Sequence, residues 1–225
     1  SEVISSFLPS DFEAPTGRAE EWRFTPLRRM KPLLSPLAIT DGATVEIAGD
    51  PSVIGVDADA GPIQPGEWLV PVDVVSAFAW AGAPEMTLIT IPAKTDLEEP
   101  VTVTITGTST SYQNVRVTIE HDSSATVVIN HQGTGQHAEN IEVEVGARSQ
   151  LKLVVIQDWD RDAVHLGRIH SHVGRDATLT QVVATFGGDL VRLVSTVDYD
   201  GPGGSAELLG AFFADAGQHL EHRLF

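Results

Sequence analysis

The 225-residue chain contains no cysteine. That absence excludes disulfides, thiol catalysis, and cysteine-ligated zinc or iron–sulfur clusters within these residues. It also fits a cytoplasmic location. Long apolar runs are missing as well: none approaches the roughly 20 residues that span a bilayer. The opening residues Ser1-Glu2-Val3-Ile4 lack the basic start and long apolar region of a secretory signal. No membrane segment and a cytoplasmic home are therefore expected. Basic residues are scarce: 14 Lys and Arg face 31 Asp and Glu, for a net charge of −17. An acidic surface repels phosphate backbones, which argues against nucleic acid as a partner. It favours solubility and basic partners.

What is present divides into three stretches. Residues 1–37 form an N-terminal arm, helical in part and extended in part. Ser10-Asp11-Phe12-Glu13 offers a cap followed by a short helix. Pro26, Pro32 and Pro36 punctuate an extended segment, and Arg18, Arg23, Arg28, Arg29 and Lys31 gather there. Residues 38–100 are a mixed α/β lead-in. Ala43 to Ile47 alternates like a strand, and Pro62, Pro65 and Pro71 break the middle. Val72 to Trp80 reads as a helix with Val72, Val75, Ala79 and Trp80 on one face. Met86 to Ile91 is another short strand.

Residues 101–225 carry a strong β signal. Val101, Val103 and Ile105 alternate with threonines; Val115, Val117 and Ile119 alternate with polar residues. Ile141, Val143 and Val145, then Leu151, Leu153 and Val155, continue the pattern. Period two puts the aliphatic set on one face. Alternation alone fits a sandwich as well as a coil. A repeat favours the coil: a Gly or Asp, two variable residues, a small residue, a polar residue, then Val or Leu. It begins at Asp122, Gly146, Gly174 and Gly203, and its small residues are Ala125, Ser149, Ala177 and Ala206. Gly or Asp suits a turn with positive φ, and the small residue suits a crowded inner corner. Stacked rungs repeat such corners once per turn, whereas an antiparallel sandwich has no reason to. The expected fold is mainly β, a parallel β-helix.

Three constellations are candidates for chemistry. His165, His170 and His172 are dense, His170 and His172 share a strand face, and His131 or His137 from a neighbouring rung would complete a metal site. His219 and Glu221 share a face, with His222 beside them, so Glu221 would fix an imidazole tautomer. Asp158, Asp160 and Asp162, with Trp159 and Arg161, are the sole candidates for the clustered carboxylates, aromatic platform and basic residue of a carbohydrate-active β-helix enzyme. The glycine-rich stretches at Gly187-Gly188 and Gly201-Pro202-Gly203-Gly204 lack a following Lys-Ser/Thr and read as turns.

Several segments resemble a known family in order along the chain. Glu20-Glu21-Trp22-Arg23-Phe24-Thr25 resembles the N-terminal motif of the SufB/SufD family. Phe186-Gly187-Gly188-Asp189-Leu190-Val191-Arg192 resembles its Gly-Gly-x-Leu-x-Arg strand, and Gly203 to Gly210 is similar to the segment that follows. Gln218-His219 sits where that family has a Gln-rich turn. The Trp-Arg-Phe motif and the lack of cysteine are closer to the SufD branch than to SufB. The resemblance implies a right-handed parallel β-helix in a non-catalytic scaffold for iron–sulfur cluster assembly. It implies SufB-like and SufC-like partners, with the cluster held by the full complex. Phe225 falls within what the resemblance makes the middle of the β-helix. The expectations are thus a truncated coil that self-associates through its open end, with no catalytic, cofactor or metal residue carried over from the family. The alternatives are the carbohydrate-active enzyme and a histidine-based metal-binding protein.

Overall fold

The computed structural model describes residues 4–34, 42–50, 55–57, 69–83 and 86–225. Among these, thirteen strands follow one another: β1 (Ala43–Ala48), β2 (Gly55–Asp57), β3 (Met86–Ile91), β4 (Val101–Gly107), β5 (Thr110–Ile119), β6 (Ser124–Gly133), β7 (Gln136–Val145), β8 (Gln150–Trp159), β9 (Val164–Gly174), β10 (Thr178–Thr185), β11 (Leu190–Asp200), β12 (Ser205–Phe212) and β13 (His219–Leu224). From β4 onward the even strands stack in one sheet, in the order β4-β6-β8-β10-β12, with β1 antiparallel on the β4 edge. The odd strands stack in the other as β13-β11-β9-β7-β5-β3, with β2 antiparallel on β3. Every pairing between successive turns is parallel. Parallel neighbours need a crossover; here the crossover from each strand to the next in its sheet is a strand of the opposite sheet. The result is the expected parallel β-helix, of about five turns. The lead-in contributes directly to it, since β3 is already in parallel register with β5.

Period-two patterning builds the interior. Val103, Ile129, Val155 and Val183 are successive register partners in one sheet, as are Val115, Ile141 and Ile169 in the other. All are buried. Each such side chain removed from water is worth about 1.5–3 kcal/mol, and stacking identical shapes turn upon turn leaves few gaps.

The corner repeat is real, but its register differs from the sequence reading. Pairing aligns Ser123, Ser149, Ala177 and Gly204, while Ala125 lies opposite Leu151 and Ala206 opposite Leu179. Ser149 and Ala177 occupy the corner as the repeat predicts, whereas Ala125 and Ala206 lie two residues beyond it. A slip of two preserves the facing of every side chain, so patterning could not detect it. The hydroxyls show why small polar residues suit the corner. Ser123 Oγ donates to Pro92 O at 2.8 Å and accepts from Thr95 N at 3.1 Å. One turn on, Ser149 Oγ donates to Glu120 O at 2.6 Å and accepts from Ser123 N at 3.0 Å. Positive φ falls one residue before each corner, at Lys94, Asp122, Arg148, Asp176 and Gly203. Asp122 and Gly203 fit the expectation. Gly146 and Gly174 do not have positive φ; a Cβ at Gly146 would come within 2.7 Å of Ile119 O, so the glycine there allows close backbone approach.

A second apolar cluster covers the outer face of the odd-stranded sheet. It is built by the arm and by helix α2 (Val74–Gly82), the helix expected at Val72 to Trp80, two residues later. Asp73 caps α2 by accepting from Ser76 N at 2.8 Å. An asparagine ladder seats it: Asn140 Nδ2 donates to Ser76 O and to Asn114 Oδ1, and Asn114 Nδ2 donates to Ala79 O. In the arm, a 3₁₀ turn at Pro9–Asp11 ends where the sequence suggested a helix would begin. The segment read as extended is helical: Pro26 precedes α1 (Leu27–Met30), and Pro32 lies within the 3₁₀ turn Lys31–Leu34. Proline's fixed φ and missing N–H suit first-turn positions, so those prolines start turns rather than prevent them. Pro36, Pro62 and Pro65 lie outside the described residues.

Two of the segments that carry the family resemblance, Glu20 to Thr25 and Phe186 to Arg192, meet in space. Trp22 lies under the Arg192 guanidinium at 4.0 Å. Arg192 donates to Glu21 O at 3.2 Å, Thr25 Oγ1 donates to Glu221 at 2.9 Å, and Arg29 reaches both the carbonyl and the carboxylate of Asp189. The early motif is thus the piece that docks the arm on β11 and β13.

Candidate functional site

The same alternation that fills the interior with aliphatics also brings polar side chains into it. Ile105, His131, Gln157 and Thr185 are register partners on the inner side of the even sheet. Facing them, Ser111, His137, His165 and Val191 are partners in the odd sheet, as are Gln113, Glu139, Gly167 and Leu193. His131, Glu139 and His165 are 2% exposed or less. The two imidazole rings lie 4.8 Å apart, centre to centre.

The hydrogen bonds orient each ring. His137 Nε2 donates to Thr134 O at 2.9 Å and the Ser111 hydroxyl bonds Nδ1, which fixes its neutral tautomer. Burial lowers its pKa to about 4. Gln157 Oε1 accepts from Trp159 Nε1 at 2.7 Å and from His165 Nδ1 at 2.5 Å. That leaves His165 Nε2 turned toward Glu139 Oε2 at 3.5 Å, with no hydrogen-bond partner. Burial pushes the His165 pKa down, against the pull of Glu139. His131 places Nε2 at 2.9 Å from Glu139 Oε2 and Nδ1 at 3.0 Å from Ile156 O. Burial of Glu139 by itself raises its pKa; His131 and His165 outweigh this and hold the carboxyl well below the usual range. Its second oxygen, Oε1, has no partner. Gly167 makes room: a Cβ there would meet Leu193 Cδ2 at 2.6 Å and His165 Nε2 at 3.4 Å. Glu139 also lines a small cavity under α2 with Asp73, Ser76, Gly167 and Arg168.

The sequence candidates separate by face. His165 points inward, whereas His170 and His172 point outward toward Asp198 and Asp200, so these three do not form one site. Of the two possible completing ligands, His131 converges with His165, whereas both ring nitrogens of His137 are taken by Ser111 and Thr134 O. Glu139 was missed, although stepping back by twos from Ile141 would have found it. His219 Nε2 meets Glu221 Oε2 at 3.3 Å as expected, but Glu221 is shared with Thr25 and Arg192. His222 turns to the other face, where Nε2 lies 2.8 Å from Thr185 Oγ1. The acidic set is dispersed: Asp158 and Asp160 are exposed, Asp162 accepts from Thr134, and Arg161 pairs with Asp215. Trp159 is buried and stacks on His137 at 4.4 Å, so it offers no platform for a sugar. The glycine stretches are turns: Gly188, Gly201 and Gly203 have positive φ.

The fold is thus a parallel β-helix whose interior gathers polar residues and whose outer face carries a docked arm. The family described as SUF system FeS cluster assembly, SufBD core domain, matches residues 102–225. The chain belongs to the SufBD family. It is 43% identical over 227 aligned positions to an iron-sulfur cluster assembly SufBD family protein of Mycobacterium bovis, covering 99% of this chain and 57% of that one. A SufBD family protein of Mycobacterium leprae is 37% identical over 226 positions, covering 99% and 58%. The chain thus spans somewhat more than half the length of these curated relatives. No solved structure matches. Among the described residues, no helix is long and apolar enough to cross a membrane.

Proposed function

We propose that this chain is part of a SufD-like, non-catalytic scaffold subunit that acts in the cytoplasm with SufB-like and SufC-like partners in iron–sulfur cluster assembly. Membership of the SufBD family carries the reading. The docking of Glu21-Trp22 on Arg192 and of Thr25 on Glu221 supports it, because two of the segments that resemble the family, Glu20 to Thr25 and Phe186 to Arg192, pack as one structural unit. The lack of cysteine supports the division of labour: thiolate ligands for a cluster must come from outside these residues. The cluster is cargo of the assembly.

The test is co-expression of the full-length tagged protein with SufB-like and SufC-like proteins from the same source. Affinity capture followed by size-exclusion chromatography should yield one complex containing all three chains. Capture of neither partner, with the tagged protein folded, would refute the proposal.

A further inference from the structure

We propose that His131, Glu139 and His165 form a buried site for a divalent first-row transition-metal ion inside the coil. This goes beyond the scaffold reading and does not depend on it.

The donors converge. One ligand atom from each residue lies within 4.8 Å of the others. Around a four-coordinate ion, metal–nitrogen and metal–oxygen bonds of roughly 2.0–2.2 Å place neighbouring donors about 3.4 Å apart. Glu139 Oε2 already stands 2.9 Å from His131 Nε2 and 3.5 Å from His165 Nε2, so only the widest pair has to close, by about 1.4 Å at most. Both imidazoles are already aimed. The Nδ1 of His131 faces Ile156 O, and the Nδ1 of His165 donates to Gln157 Oε1. An acceptor on the far ring nitrogen is how proteins orient a metal-bound histidine. Both Nε2 atoms consequently face Glu139. His165 Nε2 and Glu139 Oε1 are buried without partners, and an unmet pair of donor atoms in a sealed interior is costly unless something fills the gap. Gly167 leaves that side of His165 Nε2 open.

The chemistry selects the ion. Two imidazoles and one carboxylate, with no thiolate, suit Fe(II), Co(II) or Zn(II) rather than Mg(II) or Ca(II), which prefer all-oxygen shells. On binding, the ion replaces the proton between His131 Nε2 and Glu139 Oε2. That proton leaves to solvent.

The test uses Co(II), a spectroscopic probe, added to chelator-treated full-length protein. We expect one bound ion per chain, visible absorption bands of a nitrogen–oxygen site, and a shifted or broadened indole N–H of Trp159, whose partner Gln157 holds His165. Glu139→Gln and His165→Gln should each weaken binding at least tenfold. His121→Gln, on the surface, and His172→Gln, on the outer face of β9, should leave it unchanged. Circular dichroism checks that each variant folds; the Trp159 signal in the unaltered protein decides the matter if a variant does not. The proposal is overturned by absence of stoichiometric binding, by an unmoved Trp159 indole at saturation, or by folded Glu139→Gln and His165→Gln proteins that bind Co(II) as tightly as the original.

Discussion

Replacing Trp22 with alanine should release the N-terminal arm while leaving the coil interior intact. Trp22 is 5% exposed and packs with Met30, Leu33, Val75 and Leu190 in the outer cluster. Truncating a buried tryptophan typically costs about 3–5 kcal/mol. A desolvated cation–π contact accounts for about 2 kcal/mol of such a sum, and Arg192 is itself only 3% exposed. A stacked coil unfolds in parts rather than all at once, so one global free energy is the wrong measure. Native-state hydrogen exchange reads each region separately. For Trp22→Ala, the amides of α1 and of the adjoining turn Lys31–Leu34 should lose protection by at least about a hundredfold, since each 1.4 kcal/mol is a factor of ten. The amides of β6 and β8, which line the interior on the other sheet, should change little. A double-mutant cycle of Trp22→Leu with Arg192→Met should show a coupling of about 1–2 kcal/mol. Equal loss of protection in every strand, or an unaltered arm, would refute the clamp.

Three further outcomes follow from the corners and the outer face. Ser149→Ala should lower local stability by about 1–3 kcal/mol, read by native-state hydrogen exchange of the amides around that corner, because it leaves Ser123 N–H and Glu120 O without their partner; Ala177 at the equivalent corner shows that the methyl itself fits. Lys94→Gly should raise stability by about 1 kcal/mol in the same assay, because Lys94 holds φ at 60°, whereas Asp122→Gly should gain less, since it forfeits the bidentate pair with Arg148. His170, which faces Arg168, Glu142, His172, Thr196 and Asp198, has its pKa lowered, chiefly by burial. The unfolded chain therefore binds the extra proton first, so this contribution to stability is present above about pH 6.5 and is lost as pH falls toward the folded value. His170→Gln should flatten that part of the stability profile, and an NMR titration midpoint for His170 at or above the ordinary value would contradict the argument.

The fold was legible because its signal is redundant. Val103, Ile129, Val155 and Val183 each report the inward face, and any one could be lost without changing the reading. Register was less legible. Ala125 and Ala206 have the right parity and the right size, and only hydrogen bonding between turns separates them from Ser123 and Gly204. The arm was the least legible part. Its helical turns are three or four residues long, too short for periodicity to register. Trp22 and Thr25 are held instead by Arg192 and Glu221, some 170 to 196 positions away.

The interior site depends on two kinds of information, of which the sequence displays one. Parity separates His165 from His170 and His172, and it also places His131, Glu139 and Gln157 inward. Nearness along the chain groups His165 with His170 and His172 instead, which lie on the opposite face. What parity cannot supply is which inward residues from opposite sheets face one another, because that depends on where each turn of the coil changes sheets. His131 and Glu139 are eight residues apart, on either side of the bend between β6 and β7, and His165 is brought level with His137 by a 28-residue step. A one-residue change in the length of that step would turn His165 outward. The site is therefore as sensitive to loop length at Asp160 to Ala163 as to its own ligands. Inserting one glycine after Arg161 should move His165 out of reach of Glu139 unless β9 shifts by a second residue. Loss of the Glu139–His165 contact in a structure of that variant would confirm that corner length, rather than side-chain chemistry alone, assembles the cluster.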